Sequence, residues 1–266
     1  MPVQVWATWF PRDGKPQTFI EGYPLDKLDL SAQGKSPFRF HVADNEVGEN
    51  FCRGSLETEG HRITWDLRYR SNFRVTLSSK GWIGFSRTPH SDAEFSGQIT
   101  FDQQTWAGNP LGVGVQGHNC GYRHRGFWTW AHAYFPRQGG QGSTLEALVY
   151  DIPFGLIFRK AVLWHDGRPF EFRGIKEVEQ DARDFRWRFA GTSPDGLLVE
   201  ADFQGEDVST HRLPYLKTDC SGSFEVANNS LARAVLRVTQ PDGRVEELAT
   251  TTGAVLEMAG ARLRSE

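Results

Sequence analysis

Alternation of hydrophobic and polar positions is the dominant pattern along the chain. Residues 61–69 (HRITWDLRY) place Ile63, Trp65, Leu67 and Tyr69 on one face and polar side chains on the other. A period of two predicts a half-buried antiparallel strand. Residues 73–77 and 185–189 repeat the pattern with phenylalanine, valine, leucine and tryptophan on one face. The pattern therefore predicts a chain built mainly from short antiparallel strands.

Turn signals separate these strands at hairpin spacing. Asp-Gly pairs occur at residues 13–14, 166–167, 195–196 and 242–243. Each pair favours a tight hairpin, because glycine tolerates the positive φ that such turns require. Only residues 176–184 (KEVEQDARD) are typical of a short helix, while 230–236 (SLARAVL) fits a helix or a strand. We therefore predict an all-β protein with very little helix.

The most linker-like segment is 136–143 (PRQGGQGS), which is rich in glycine and lacks apolar side chains. It predicts two β-domains, residues 1–138 and 139–266. Strand number and turn spacing favour two antiparallel β-barrels or strongly bent β-sandwiches in tandem. A chain of 266 residues is long enough for either arrangement.

Charge and hydropathy exclude several classes of partner. The formal net charge is −3 and no basic stripe is present, so nucleic acid is not an expected partner. No apolar run approaches the roughly 18 residues of a membrane span, so none is expected. The first residues (MPVQVWATWF) lack the features of a signal peptide, which predicts a cytoplasmic protein. The three cysteines have no motif spacing, so a disulfide framework is not predicted.

Residues 116–135 (QGHNCGYRHRGFWTWAHAYF) combine reactive polar groups with large aromatic rings. We predict a turn over 117–126 and a strand over 127–135. On that strand Trp128, Trp130 and His132 share one face at period two. A mostly apolar surface with a few placed polar groups is typical of a ligand pocket. The tryptophans could equally belong to an ordinary core.

Candidate acids are His118, His132 and Asp151. The first lies between glycines that allow close approach of a ligand. Histidine titrates near neutral pH, and a carboxyl buried in apolar surroundings has a raised pKa. Alternatively, His118 and Asn119 tie down a loop, and Asp151 is a solvated turn residue. The candidate ligand-binding side chains are Asn119, Trp128, Trp130, Tyr134 and Trp106.

No metal or cofactor is predicted. The side chains His118, Cys120, His124 and His132 do not match the paired spacing of zinc ligands, and no second pair is evident. Fingerprints of hydrolase triads, phosphate-binding loops, dinucleotide-binding folds and zinc proteases are also absent from the sequence.

Three motifs in order carry a resemblance to a known family. They are F-S-G-x-I at 95–99, G-H-N-x-G at 117–121 and W-x-W at 128–130. Over roughly residues 80–135 the chain resembles the tandem lipocalin-like family of carotenoid 1,2-hydratase, AttH-like proteins and tocopherol cyclase. The resemblance implies two lipocalin-like β-domains with a ligand cavity. It also implies cofactor-independent protonation of an alkene, and it carries His118, Asn119, Trp128 and Trp130 over as pocket residues.

These observations lead to one main hypothesis and two alternatives. The main hypothesis is a protein that binds an apolar, isoprenoid or polyene-like molecule in an aromatic-lined cavity. It would catalyse hydration, cyclisation or isomerisation by acid catalysis, as a lyase or an isomerase. A non-catalytic carrier or sensor of the same ligand class is the first alternative. A carbohydrate-binding β-protein is the second, and it requires an exposed platform of tryptophans.

Overall fold

The computed structural model describes residues 3–29, 38–80, 84–121, 124–137, 141–217 and 221–263. Strands make up most of this part of the chain. They are β1 Val3–Trp9, β2 Gln17–Tyr23, β3 Arg39–Val42, β4 Asn45–Gly48, β5 Phe51–Thr58, β6 His61–Arg70, β7 Val75–Lys80, β8 Gly84–Phe101, β9 Gln104–Gly121, β10 Phe127–Phe135, β11 Ser143–Ile152, β12 Leu156–His165, β13 Arg168–Arg173, β14 Lys176–Asp181, β15 Arg186–Thr192, β16 Leu198–Gln204, β17 His211–Leu216, β18 Ser223–Thr239 and β19 Val245–Gly260. The helices in these ranges are short 3₁₀ turns at Leu25–Lys27, Pro153–Gly155, Asp207–Ser209 and Ala261–Leu263.

The strands form antiparallel sheets, which confirms the predicted all-β class. Strands β1 and β2 form a hairpin. A seven-stranded sheet has the order β3-β4-β5-β6-β8-β7, with β9 paired to β8. A ten-stranded sheet has the order β13-β12-β11-β10-β19-β18-β16-β15-β14, with β17 paired to β18.

The chain divides into two compact units that each combine several segments. Unit 1 comprises Met1–Trp9, Pro16–Asn72 and Asp92–Gly114. Unit 2 comprises Phe10–Lys15, Phe73–Ser91 and Val115–Glu266. The boundary predicted between residues 138 and 139 lies between β10 and β11, which pair with each other inside unit 2.

In unit 2 the ten-stranded sheet bends around one core that side chains fill. Phe172 on the edge strand β13 and Phe189 on β15 belong to the same buried cluster. A Cβ added at Gly191 of β15 would lie 3.2 Å from the Phe172 Cβ, so the two ends of the sheet pack closely. Of the two predicted architectures, barrels and strongly bent sandwiches, this arrangement corresponds to the strongly bent sandwich. The largest fully buried side chain is Trp187.

Strand β10 shows how the alternation in the sequence gives the sheet two different faces. Ala131, Ala133 and Phe135 face the buried core of unit 2. Because successive side chains of a strand point to opposite faces, Trp128, Trp130 and His132 lie on the other side. We call this side of the ten-stranded sheet the tryptophan face. The strand predicted over 127–135 is confirmed.

Unit 1 has its own smaller core around Phe19, Leu56 and Ile63. Gly97, the glycine of the F-S-G-x-I motif, has a φ of 122°. A Cβ at this position would lie 2.1 Å from the backbone oxygen of Asp66 on β6. Glycine is therefore required for β8 to approach β6 here.

Two local predictions are wrong. The helix predicted over 176–184 is strand β14, because its polar side chains find partners across the strand pair: Glu179 binds Arg188, and Glu177 accepts from the Trp187 indole. The turn predicted over 117–126 is strand to residue 121, because β9 continues along β8. Residues 122 and 123 of that turn lie outside the described residues, as does the side chain of Cys120.

Candidate functional site

Sheet register brings two glutamates onto the tryptophan face. On β11, Glu146 is the lateral partner of His132. On β19, Glu257 is the lateral partner of Trp130. Lateral partners in an antiparallel sheet project on the same side. Strand β10 therefore lies between two carboxyl side chains that come from distant parts of the chain.

Glu146 is buried in apolar surroundings, with 1 % of its surface exposed. Its Oε1 accepts hydrogen bonds from the Thr88 hydroxyl at 2.7 Å and from the Trp130 indole N–H at 3.0 Å. Its Oε2 is also buried and has no hydrogen-bond partner among the described residues. Burial raises the pKa of Glu146, and the bonds from Thr88 and Trp130 oppose that rise. The carboxyl thus holds its proton to a higher pH than an exposed glutamate does.

The apolar surroundings of Glu146 form one small cluster within unit 2. Leu148 of β11 and Val162 of β12 pack there with Val75 and Leu77 of β7. Half-buried Trp128, Trp130, Tyr150 and Trp164 pack against this cluster. The ring of Trp164 stacks on Phe73 with their centroids 4.4 Å apart. Val162, the lateral partner of Glu146 on β12, and Trp130, its hydrogen-bond donor, place this apolar cluster beside the carboxyl group.

Glu257 is half-buried, and both of its carboxyl oxygens are partnered. Oε1 accepts from the Trp128 indole N–H at 2.6 Å, and Oε2 accepts from the Asn228 amide at 3.2 Å. Burial raises the pKa of Glu257 above its ordinary value, and these two hydrogen bonds only partly oppose that rise. Tyr215, which packs on Trp128, has its pKa raised by burial and by the charge of Glu257. Each tryptophan of the W-x-W motif thus donates its N–H group to one carboxyl.

His132 is buried beside Trp130 and Glu146 and is neutral. Its Nε2 lies 2.7 Å from the backbone oxygen of Ser91, so the Nε2–H group donates to that carbonyl. Burial lowers the pKa of His132 to about 4, against the opposing effect of the Ser91 bond. The imidazole ring stacks on Trp130 with centroids 6.4 Å apart. Near pH 7 it therefore carries no second proton to donate.

The G-H-N motif lies on β9, next to the donor of Glu146. A Cβ added at Gly117 would lie 3.8 Å from the Thr88 hydroxyl oxygen. His118 is half-buried and packs edge-on against Phe85, with centroids 5.1 Å apart. Burial, followed by the charge of Arg87, lowers the pKa of His118. Asn119 is exposed.

The other predicted side chains have different surroundings. Asp151 is half-buried, and its Oδ1 accepts from the backbone N–H of Phe127 at 3.1 Å, so it holds the start of β10. Tyr134 is half-buried and follows His132 on the tryptophan face. Trp106 belongs to unit 1 and packs against Trp9 with centroids 4.7 Å apart. The structure therefore brings Trp128, Trp130 and His132 together, and joins them with the glutamates that were not predicted.

The sequence contains a signal for both glutamates. Within residues 145–150 (LEALVY), Glu146 shares its face with Leu148 and Tyr150. Within residues 254–260 (AVLEMAG), Glu257 shares its face with Val255 and Ala259. A carboxylate that shares a strand face with apolar side chains is expected to be buried, and its pKa is expected to be shifted.

The described residues contain neither a cluster of metal-binding side chains nor a membrane-spanning helix. No group of three or more His, Cys, Asp and Glu side chains there could hold a metal ion. None of the helices in those same residues is long and apolar enough to cross a membrane.

Comparison with known proteins gives similarity in structure only. No protein-family model and no curated protein sequence matches the chain. The crystal structure of kievitone hydratase from Nectria haematococca is similar over 98 % of this chain and 80 % of that one, at 11 % identity and a TM-score of 0.61. A provisionally assigned AttH from Nitrosomonas europaea is similar over 93 % and 76 %, at 13 % identity and a TM-score of 0.52. The predicted resemblance is confirmed at the level of fold: the chain has the lipocalin-like fold of these proteins.

Proposed function

We propose that this protein protonates a carbon–carbon double bond of an apolar small molecule without a cofactor, and that Glu146 is the proton donor. The observation that carries the proposal is the buried Oε2 of Glu146, which has no hydrogen-bond partner in the described residues. Trp130 and Val162 of the apolar cluster lie beside the same side chain. A carboxyl with a raised pKa is a suitable general acid near neutral pH.

The Glu146 carboxyl alone can supply the proton for this reaction. The Oε2–H proton is transferred to one alkene carbon, the π electron pair forms the new C–H bond, and the adjacent carbon becomes a cation. The carboxylate that remains keeps its hydrogen bonds from Thr88 and Trp130, which stabilise the charged form. The indole face of Trp130 stabilises the cation by cation–π attraction.

The fate of the cation decides the class of reaction. In a hydration, a water oxygen forms the new C–O bond, and its extra proton returns to Glu146. In an isomerisation, the cation loses a neighbouring proton to Glu146, and the C–H electron pair forms the new double bond. In a cyclisation, an internal double bond first forms a C–C bond to the cation and moves the charge to another carbon, which then loses a proton to Glu146 in the same way. An isoprenoid or polyene-like substrate supplies electron-rich alkenes for each route. The similarity in fold to a protein named as a hydratase supports the first route.

The test compares turnover of prenylated phenols, prenylquinones and linear polyenes by the wild type and by Glu146→Gln. We expect kcat to fall by roughly 100-fold or more, with KM nearly unchanged, because the amide keeps the shape but cannot donate the proton. Glu200→Gln, at an exposed ion pair on β16, is the matched control and should keep full activity. His118→Ala, His132→Gln and Asp151→Asn test the three acids predicted from the sequence. Full activity of Glu146→Gln would refute the proposal.

A non-catalytic carrier or sensor is the second candidate. It is favoured by the hydrogen bonds that Trp128 and Trp130 already make, because these would fix the rings as the wall of a binding site. In that case an apolar ligand would quench tryptophan fluorescence, no product would form, and Glu146→Gln would change only the affinity. A carbohydrate platform is less well supported, because both indoles are half-buried with their N–H groups engaged inside the protein.

A further inference from the structure

The tip of the β11–β12 hairpin exposes a concentration of apolar side chains. Phe154 is 99 % exposed, Leu156 60 % and Ile157 38 %. We call these three residues the apolar tip. The backbone is also unusual, since Phe154 has a φ of 72°, which is unfavourable for a bulky residue. Contact with water is unfavourable for the Phe154 ring, and the positive φ is unfavourable for its backbone. The free protein therefore gains no stability from a phenylalanine at this position.

Aromatic and cationic side chains follow the apolar tip in layers. Tyr150 and Phe158 stack on each other across the hairpin, with centroids 4.7 Å apart. The Arg125 guanidinium lies 5.1 Å from the centroid of the Tyr150 ring, and Arg159 directly follows Phe158. Phe158 is two residues beyond Leu156, or about 7 Å along the strand. Interfacial segments enter a bilayer to a depth of about 5–10 Å, so the spacing of these layers fits a membrane surface.

We propose that the apolar tip inserts into the surface of a phospholipid bilayer. Phe154 and Leu156 enter the acyl region, and Ile157 lies at its border beside Asp151. The Tyr150–Phe158 pair lies at the level of the headgroups, where aromatic rings are favoured. Arg125 and Arg159 extend towards the phosphates. Acidic groups are also near. Asp151 is the lateral partner of Ile157 and accepts from the Phe127 backbone N–H, and Glu177 is 3.5 Å from the Arg159 guanidinium. Apolar burial therefore contributes more to binding than net charge does.

A bilayer fits this surface better than a second protein chain. A fully buried aromatic side chain contributes roughly 150–250 Å². Three side chains at the end of a hairpin, two of them only partly exposed, thus remain below the roughly 600 Å² that each partner contributes to a stable protein interface. A lipid surface imposes no such minimum on the contact. The proposal is independent of the proposed function; if that function holds, the same bilayer would also dissolve the apolar substrate.

The experiment measures co-sedimentation of the full chain with phosphatidylcholine vesicles, with and without phosphatidylserine. We expect the double variant Phe154→Ser/Leu156→Ser to reduce the partition coefficient at least tenfold. Leu25→Ser is the matched control, because Leu25 is 58 % exposed in unit 1, and it should bind like the wild type. Because burial dominates, high salt should change wild-type binding to phosphatidylcholine by less than about twofold.

Phe154→Gly separates membrane binding from folding. Glycine accepts a φ of 72° without strain, so the thermal unfolding temperature should stay the same or rise while vesicle binding falls. Three results would each overturn the proposal. They are the absence of wild-type binding to both kinds of vesicle, wild-type binding by the double variant, and a change in oligomeric state caused by the hairpin variants without lipid. The last result would identify the tip as a protein interface.

Discussion

The buried neutral His132 makes the stability of unit 2 depend on pH. The unfolded chain binds a proton at this histidine below its ordinary pKa of 6.5, whereas the folded chain resists protonation until the pH reaches its pKa of about 4. Stability is therefore complete above pH 6.5, falls as the pH decreases, and reaches its full loss below pH 4. Each pKa unit corresponds to about 1.4 kcal/mol, so the total loss is about 3 kcal/mol.

The assay is urea unfolding of the wild type and of His132→Gln at pH 7 and at pH 4.5, followed by tryptophan fluorescence. A glutamine amide can donate to the Ser91 carbonyl as the imidazole does, but it does not titrate. Between these two pH values the wild type should lose about 2 kcal/mol more than the variant. Other titrating groups are common to both proteins and cancel in the difference. Parallel pH profiles for the two proteins would refute the burial of a neutral His132.

The remaining predictions concern Glu146, the core of unit 2 and the motif glycine. Because the folded state holds the Glu146 proton at a pH where the unfolded chain releases it, stability falls as the pH rises above the ordinary glutamate range. Calorimetry should show Glu146→Gln gaining thermal stability over the wild type between pH 5 and pH 8, and a constant gap would contradict this. Trp187→Ala should cost about 3–5 kcal/mol in chemical unfolding, since the ring is fully buried. Gly97→Ala should speed amide exchange in β6 and β8, whereas Gly22→Ala, with open space around it, should not.

Local periodicity was sufficient to predict the part of the site that lies on one strand. The alternation in 127–135 predicted both β10 and the shared face of Trp128, Trp130 and His132. The other neighbour of β10 is β19, which lies at the far end of the chain. Pairing over such a separation leaves no local pattern, because the closing contacts depend on the whole topology. The position of Glu257 beside Trp130 could not be predicted for this reason.

The burial of His132 was the second property that could not be predicted from the local sequence. His132 is neutral because it is enclosed and hydrogen-bonded to Ser91, forty-one residues earlier in the chain. Glu146 was within reach of prediction, since it interrupts an apolar face of β11. The helix prediction for residues 176–184 is wrong for a related reason. Charges spaced for a helix surface instead bind Arg188 and Trp187 on the adjacent strand, and these tertiary contacts override the local preference.

The interleaved composition of the two units sets an order for folding during synthesis. Val75 and Leu77 of β7 belong to unit 2, but their apolar partners Leu148 and Val162 lie more than seventy residues later. At the usual rate of about 5–20 residues per second, β7 leaves the ribosome roughly 4 to 17 seconds before β12. During this interval the segments of unit 1 up to Gly114 can complete their own core. A nascent chain arrested before residue 143 should therefore contain a folded unit 1 and an apolar β7 that still binds chaperones.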